Sequence, residues 1–122
     1  MGIGFPTSGS LIARVVSAAT TNSTLVKGAA GVIQSITVSN INVATRYLKL
    51  YNKATAPTVG TDTPVMTIAL QGLTTTGSIT HHFGQDGIYF STGIGLGLTT
   101  GVADNDTGAV AANEQIVHIL YQ

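Results

Sequence analysis

The apolar residues of this chain come in short runs that alternate in and out, and Gly, Pro, Asn or Asp ends each run before a helical period can develop. Ile36 and Val38 alternate with Ser35, Thr37 and Ser39, and Leu48 and Leu50 alternate with Tyr47, Lys49 and Tyr51. Met66, Ile68 and Leu70 repeat the pattern. Side chains two apart share one face of a strand, whereas a helix needs apolar positions three and four apart. The pattern predicts strands over residues 11–18, 24–27, 31–39, 46–52, 65–70, 78–83, 87–90, 94–99 and 114–121. Strands this short, cut by turn residues at roughly regular spacing, predict an all-β fold: a single-domain antiparallel β-sandwich, jelly-roll or Ig-like in type. In the last strand Val117, Ile119 and Tyr121 alternate with Ile116, His118 and Leu120, so both faces are apolar. Such a strand is expected to be central or covered by a partner.

With 122 residues, the chain is sized for one domain. Residues 1–10, with Gly2, Gly4, Pro6 and Gly9, read as an N-terminal arm, leaving residues 11–122 for the sandwich. The early part of the chain lacks a basic start and its apolar stretch is broken by Arg14, so no cleaved signal peptide is expected. No apolar run approaches the roughly 20 residues of a membrane-spanning helix. Without cysteine there is no thiol chemistry or thiolate metal site. Only 8% of the residues are charged and the formal net charge is zero. A chain with no basic stripe has little with which to neutralise phosphates, which argues against nucleic acid as a partner. A surface so neutral and rich in small residues fits packing in an assembly, so a homo-oligomer is expected.

Two features mark candidate contact surfaces. In the segment from Gly93 to Leu98, Gly93, Gly95 and Gly97 fall on one strand face and Ile94, Leu96 and Leu98 on the other. Glycines in register along a strand imply close approach, either by a partner chain or by aromatic side chains of the same domain. The stripe Tyr47, Lys49 and Tyr51 joins two aromatic rings to an amphipathic cation, a composition suited to protein contact. Its alternative is a solvent face on which Lys49 maintains solubility and the tyrosines pair across strands.

Residues with chemical potential are sparse. His81 and His82 are adjacent, so on a strand they face opposite ways and cannot hold one metal ion together. His118, in the apolar last strand, reads as a hydrogen-bonded core or interface imidazole. The stretch from Asp104 to Gly108 alternates Asp104 and Asp106 as a calcium loop does, but its Gly comes one position early and Gln115 stands where a bidentate Glu is needed. Asx-turn chemistry accounts for it more simply. Ser78, His81 and Asp86 can be grouped as a triad only by the coincidence that a Ser-rich domain allows. No catalytic residue, cofactor or metal site is therefore assigned.

The stretch from Arg46 to Pro64, RYLKLYNKATAPTVGTDTP, and the later stretch from Gly101 to Glu114, GVADNDTGAVAANE, resemble segments of small structural proteins of tailed-bacteriophage virions. The resemblance covers about Val15 to the C-terminus. It implies a β-sandwich built into a virus particle, made in the host bacterial cytoplasm, with no catalytic residues to carry over. The first expectation is a capsid decoration or cement protein that sits on the outer shell, as a trimer or at a local symmetry axis, and clamps neighbouring subunits of the major capsid protein or other virion proteins. In that reading the arm lies across a neighbouring subunit and edge strands extend a neighbour's sheet. A tail, head-to-tail or fibre-associated module is the alternative. A carbohydrate-binding sandwich ranks below both, because the chain has no Trp and only four Tyr and three Phe to stack on sugars.

Overall fold

The computed structural model describes residues 9–122. Of the expected arm, residues 1–8 lie outside the described residues; Gly9 and Ser10 are exposed. Strands form where the alternation predicts them: β1 (Leu11–Val16), β2 (Thr24–Lys27), β3 (Gly31–Asn40), β4 (Arg46–Tyr51), β5 (Met66–Leu70), β6 (Ser78–His82), β7 (Ile88–Phe90), β8 (Ile94–Thr99) and β9 (Gln115–Tyr121). The first strand stops short of Ala18 because a tight turn begins there. Asn22, at φ 53°, accepts from the Ala18 N–H at 2.8 Å and donates to the Ala18 carbonyl at 3.0 Å. Asn tolerates this left-handed backbone because its short amide can bond locally.

All strand pairs are antiparallel and make two sheets, ordered β1-β9-β3-β6 and β2-β8-β4-β5. The remaining strand, β7, pairs with the other end of the same edge of β3. Strands β6 and β7 thus act as one edge strand interrupted by the turn at residues 83–87, where Gly84 and Gly87 take positive φ. Counted as one, they leave four strand positions in each sheet, and the chain crosses between sheets in the order of a jelly roll. The fold is an all-β sandwich of one domain.

The core lies between the sheets. From the first sheet come Ile33, Ile36, Val38, Val117 and Ile119, and from the second Leu48, Leu50, Ile94, Leu96, Leu98 and Leu70, each almost fully buried. Burying one such side chain is worth about 2 kcal/mol, so these alternating positions supply much of the drive to fold. A bulge at Gln34 lets both Ile33 and Ile36 face inward although they are three residues apart. As its double apolar pattern predicts, β9 is central, flanked by β1 and β3.

Candidate protein-binding face

The two sheets differ in what covers their outer faces. On the outer face of the β2-β8-β4-β5 sheet lie Tyr47, Lys49 and Tyr51 of β4, opposite Thr99, Gly97 and Gly95 of β8. The long connections at residues 52–65 and 100–113 fold back over it. A Cβ on Gly97 would meet the Val59 Cγ2 at 2.6 Å, and one on Gly95 would meet the Pro57 Cδ at 2.9 Å. At Gly93 the neighbours are backbone, with the Lys53 carbonyl oxygen 2.2 Å from an added Cβ. The connections are tied down by polar contacts. Lys53 N–H donates to the Gly93 carbonyl at 3.2 Å, Ser23 Oγ donates to the Pro57 carbonyl, and Lys49 Nζ donates to the Ala103 carbonyl.

Lys49 and Tyr51 are in consequence 0% and 1% exposed, which corrects the expectation of an open contact stripe. Only Tyr47 of that stripe is half-exposed. The Tyr51 hydroxyl has no hydrogen-bond partner, and burial, with Asp62 and Asp104 adding negative potential, pushes its pKa above the ordinary tyrosine value. The glycines Gly93, Gly95 and Gly97 do mark close approach, but the approaching groups are the chain's own connections. Alternation placed these residues on one face correctly; what covers that face depends on connections that carry no periodic signal.

Among the described residues nothing covers the outer face of the β1-β9-β3-β6 sheet. Cross-strand pairs Ile12 with Leu120, Arg14 with His118, and Val16 with Ile116 set an apolar stripe along β1 and β9, with Arg14 and His118 at its middle. Ile12 is 67% exposed, and Ile116, His118 and Leu120 are half-buried. The other half of the face is polar. Ser35, Thr37 and Ser39 of β3 face His82, Thr80 and Ser78 of β6, with the Thr37 and Thr80 hydroxyls 3.3 Å apart. Tyr89 of β7, beside Val32, adds an aromatic ring that is 68% exposed. Arg14 is the one charged residue in the five strands of this sheet.

A buried polar cluster that sequence reading missed fixes one end of the sandwich. The Ser17 hydroxyl donates to the Ala111 carbonyl at 2.8 Å and accepts from the N–H groups of Glu114 and Gln115 at 2.9 and 3.0 Å. Gln115 Nε2 donates to Asn40 Oδ1 at 2.9 Å, and Asn40 Nδ2 donates to the Leu70 carbonyl at 2.9 Å, which bridges the two sheets. Glu114 takes the Ala111 N–H at 3.0 Å and pairs with Arg46 at 3.4 Å. Burial alone would raise the Glu114 pKa; the Gln115 amide, the Ala111 N–H and the Arg46 guanidinium outweigh it and hold the carboxyl below its usual range. In sequence these residues look like ordinary strand-end and turn residues.

The groups considered for chemistry are not brought together. His81 faces inward and stacks on Phe83, with ring centroids 6.2 Å apart, while His82 and Ser78 lie on the outer face of the same strand. Ser78 and His81 therefore sit on opposite sides of β6, and no triad forms with Asp86. Asp106 Oδ1 accepts from the Gly108 N–H at 2.8 Å, two residues on, which is the Asx-turn geometry expected of the stretch from Asp104 to Gly108. Among the described residues no group of three or more potential metal ligands converges. A shallow cleft of about 140 Å³ is lined by Tyr51, Asn52, Thr63 and Val65 and by the Lys53–Asp62 ion pair at 2.6 Å. Compared with protein-family models, with curated proteins and with solved structures, the chain matches none.

Proposed function

We propose that this chain is a non-enzymatic structural protein of a tailed-phage virion, a capsid decoration or cement protein that docks the outer face of the β1-β9-β3-β6 sheet onto the shell. The observation that carries the reading is the contrast between the two outer faces. An antiparallel sheet open to water ordinarily shows polar residues on its solvent side. Here the solvent side of β1 and β9 presents Ile12, Val16, Ile116 and Leu120, while on the other sheet the chain's own connections cover the centre, over β4 and β8.

The size of the face fits a docking role. Four strand positions about 4.8 Å apart, each roughly 20 Å long, give a plane of about 400 Å². About 200 Å² of this, along β1 and β9, is apolar, short of the roughly 300–600 Å² of the largest apolar patch on a typical monomer, so the polar half must join the contact. The whole plane is about half of what one partner contributes to a standard interface, so strand edges or chain outside the sandwich must add contact as well. The apolar stripe selects an apolar partner surface, and Arg14, which has no acid beside it in its own sheet, selects a carboxylate or carbonyl opposite it. Jelly rolls serve in viral capsid and lectin domains, an analogy of fold that supports the reading without deciding it.

The test is co-sedimentation of the purified chain with shells lacking it, taken from a phage that encodes it. Saturation at a fixed ratio to the major capsid protein is expected. Binding to tails but not to shells would move the assignment to a tail or head-to-tail module, and binding to neither would overturn a virion role.

A further inference from the structure

We infer that β1 is a self-pairing edge, and that two copies join through antiparallel β1–β1 hydrogen bonding into one continuous sheet. Edge strands carry unpaired backbone groups, and proteins protect them with bulges, prolines, interruptions or charges. The four edges here are protected to different degrees. Strand β2 has four residues and a bulge between Leu25 and Lys27, the β6–β7 edge is broken by the turn at residues 83–87, and β5 has only five residues, beginning two after Pro64. Strand β1 carries one charge, Arg14, but it is longer than β2 and β5 and has no bulge, proline or interruption. It pairs with β9 at every position from Leu11 to Val16, contains no Gly or Pro, and leaves Leu11 and Ile12 58% and 67% exposed.

The sequence of β1 is self-complementary with Ala13 at the centre of the pair. With Ala13 of each copy on the two-fold axis, Leu11 meets Val15 of its mate on the core side and Ile12 meets the aliphatic stem of Arg14 on the outer side. Sliding by one pair in one direction sets Arg14 directly against Arg14, which like-charge repulsion disfavours, and in the other leaves only residues 11–13 of β1 paired with each other. The pairing also explains why the open face is divided. In the single chain the apolar stripe of β1 and β9 lies to one side and the polar half, on β3 and β6, to the other. In the pair the two stripes become adjacent and the polar halves form the margins, which is the layout of a docking interface with an apolar centre and a polar rim. The composite plane doubles to about 800 Å², the contribution of one partner to a standard interface. What that plane binds rests on the proposed function; the pairing itself does not.

Light scattering on the purified full chain, with no shell present, is expected to give twice the monomer mass. Ile12→Lys, at an exposed site, places Lys against Arg14 of the mate and should return the monomer mass with an unchanged β-sheet circular dichroism spectrum. The chain has no cysteine, so Ala13→Cys gives a clean cross-link test. Directly opposed strand residues have Cα atoms about 4.5–5.5 Å apart, within disulfide reach. Oxidised Ala13→Cys should run as a covalent dimer, whereas Arg14→Cys, offset from the axis, should not. A monomeric wild-type chain overturns the inference, as does a dimer that survives Ile12→Lys with Ala13→Cys uncross-linked. A monomer that still saturates shells would count against this pairing alone, and a cross-linked dimer that ignores virions would count against the proposed function alone.

Discussion

Replacing Gly93 by Ala should destabilise the domain far more than the same change at Gly97, although the two glycines lie on one face two turns of alternation apart. A Cβ at Gly93 would lie 2.2 Å from the Lys53 carbonyl oxygen and 2.8 Å from both the Ala54 Cα and the Lys27 carbonyl oxygen. All three are backbone atoms, so relief requires the start of the 52–65 connection to move by about 1 Å to reach ordinary contact distance. That movement stretches the hydrogen bond from Lys53 N–H to the Gly93 carbonyl, already 3.2 Å long. Overpacking of this kind costs about 1–3 kcal/mol and a weakened hydrogen bond about 1 kcal/mol more. Against these stands about 0.4–1 kcal/mol from the stiffer unfolded chain, leaving a net loss of about 2–3 kcal/mol. For a domain of this size the melting temperature should fall by roughly 10 °C. At Gly97 the obstacle is the Val59 Cγ2, the tip of a half-buried side chain that can turn aside, so a net cost near 1 kcal/mol is expected. Gly9, with nothing within 4 Å of an added Cβ, serves as the control. Thermal unfolding followed by circular dichroism reads all three. A Gly93→Ala variant that melts within about 2 °C of wild type, or a Gly97→Ala variant that is the worse of the two, would refute the argument that the 52–65 connection is packed backbone to backbone on β8.

Other consequences follow from the same geometry. Tyr51→Phe removes a buried hydroxyl that has no partner, so the melting temperature should hold or rise, whereas a drop of several degrees would mean that the hydroxyl is bonded. Ser17→Ala strips an acceptor from the N–H groups of Glu114 and Gln115 and a donor from the Ala111 carbonyl, and urea unfolding should show a loss of about 2–3 kcal/mol. Because the Glu114 carboxyl is held below its ordinary value of 4.5, its ionisation stabilises the fold above that pH, and the contribution is lost as pH falls through the lower folded value. Glu114→Gln should therefore flatten the acid limb of a stability-against-pH profile below about pH 4.5 while lowering the neutral plateau; an acid limb as steep as in wild type would contradict that role.

The alternation of Ile36 with Thr37 or Leu48 with Lys49 made the strands and their inner faces legible, because period two is enforced residue by residue. The same rule placed Lys49 and Tyr51 opposite the core. It could not say that a second layer, made of residues 52–65 and 100–113, lies over them, since the path of an irregular connection is set by contacts distant in sequence. The glycines at 93, 95 and 97 carried that information in part: they announced close approach, and the approaching group is the chain's own loop. The doubly apolar β9 was the most informative strand. Its inner side chains join the core, and its outer ones, with those of β1, form the open stripe on which the proposed function rests. The cluster of Ser17, Asn40, Glu114 and Gln115 was not legible, because each is a common residue near a strand end and only the closed sandwich brings them together.

The most direct test of the central claim compares two lysine substitutions in the shell co-sedimentation assay. Leu120→Lys puts a charge on β9 at the end of the open stripe beside Ile12, and Thr107→Lys puts one at an exposed site in the 100–113 connection over the opposite sheet. With both variants folded as wild type, Leu120→Lys should abolish shell binding and Thr107→Lys should leave the saturation ratio unchanged. Full binding by Leu120→Lys together with loss by Thr107→Lys would show that the chain docks through its other side and would contradict the account.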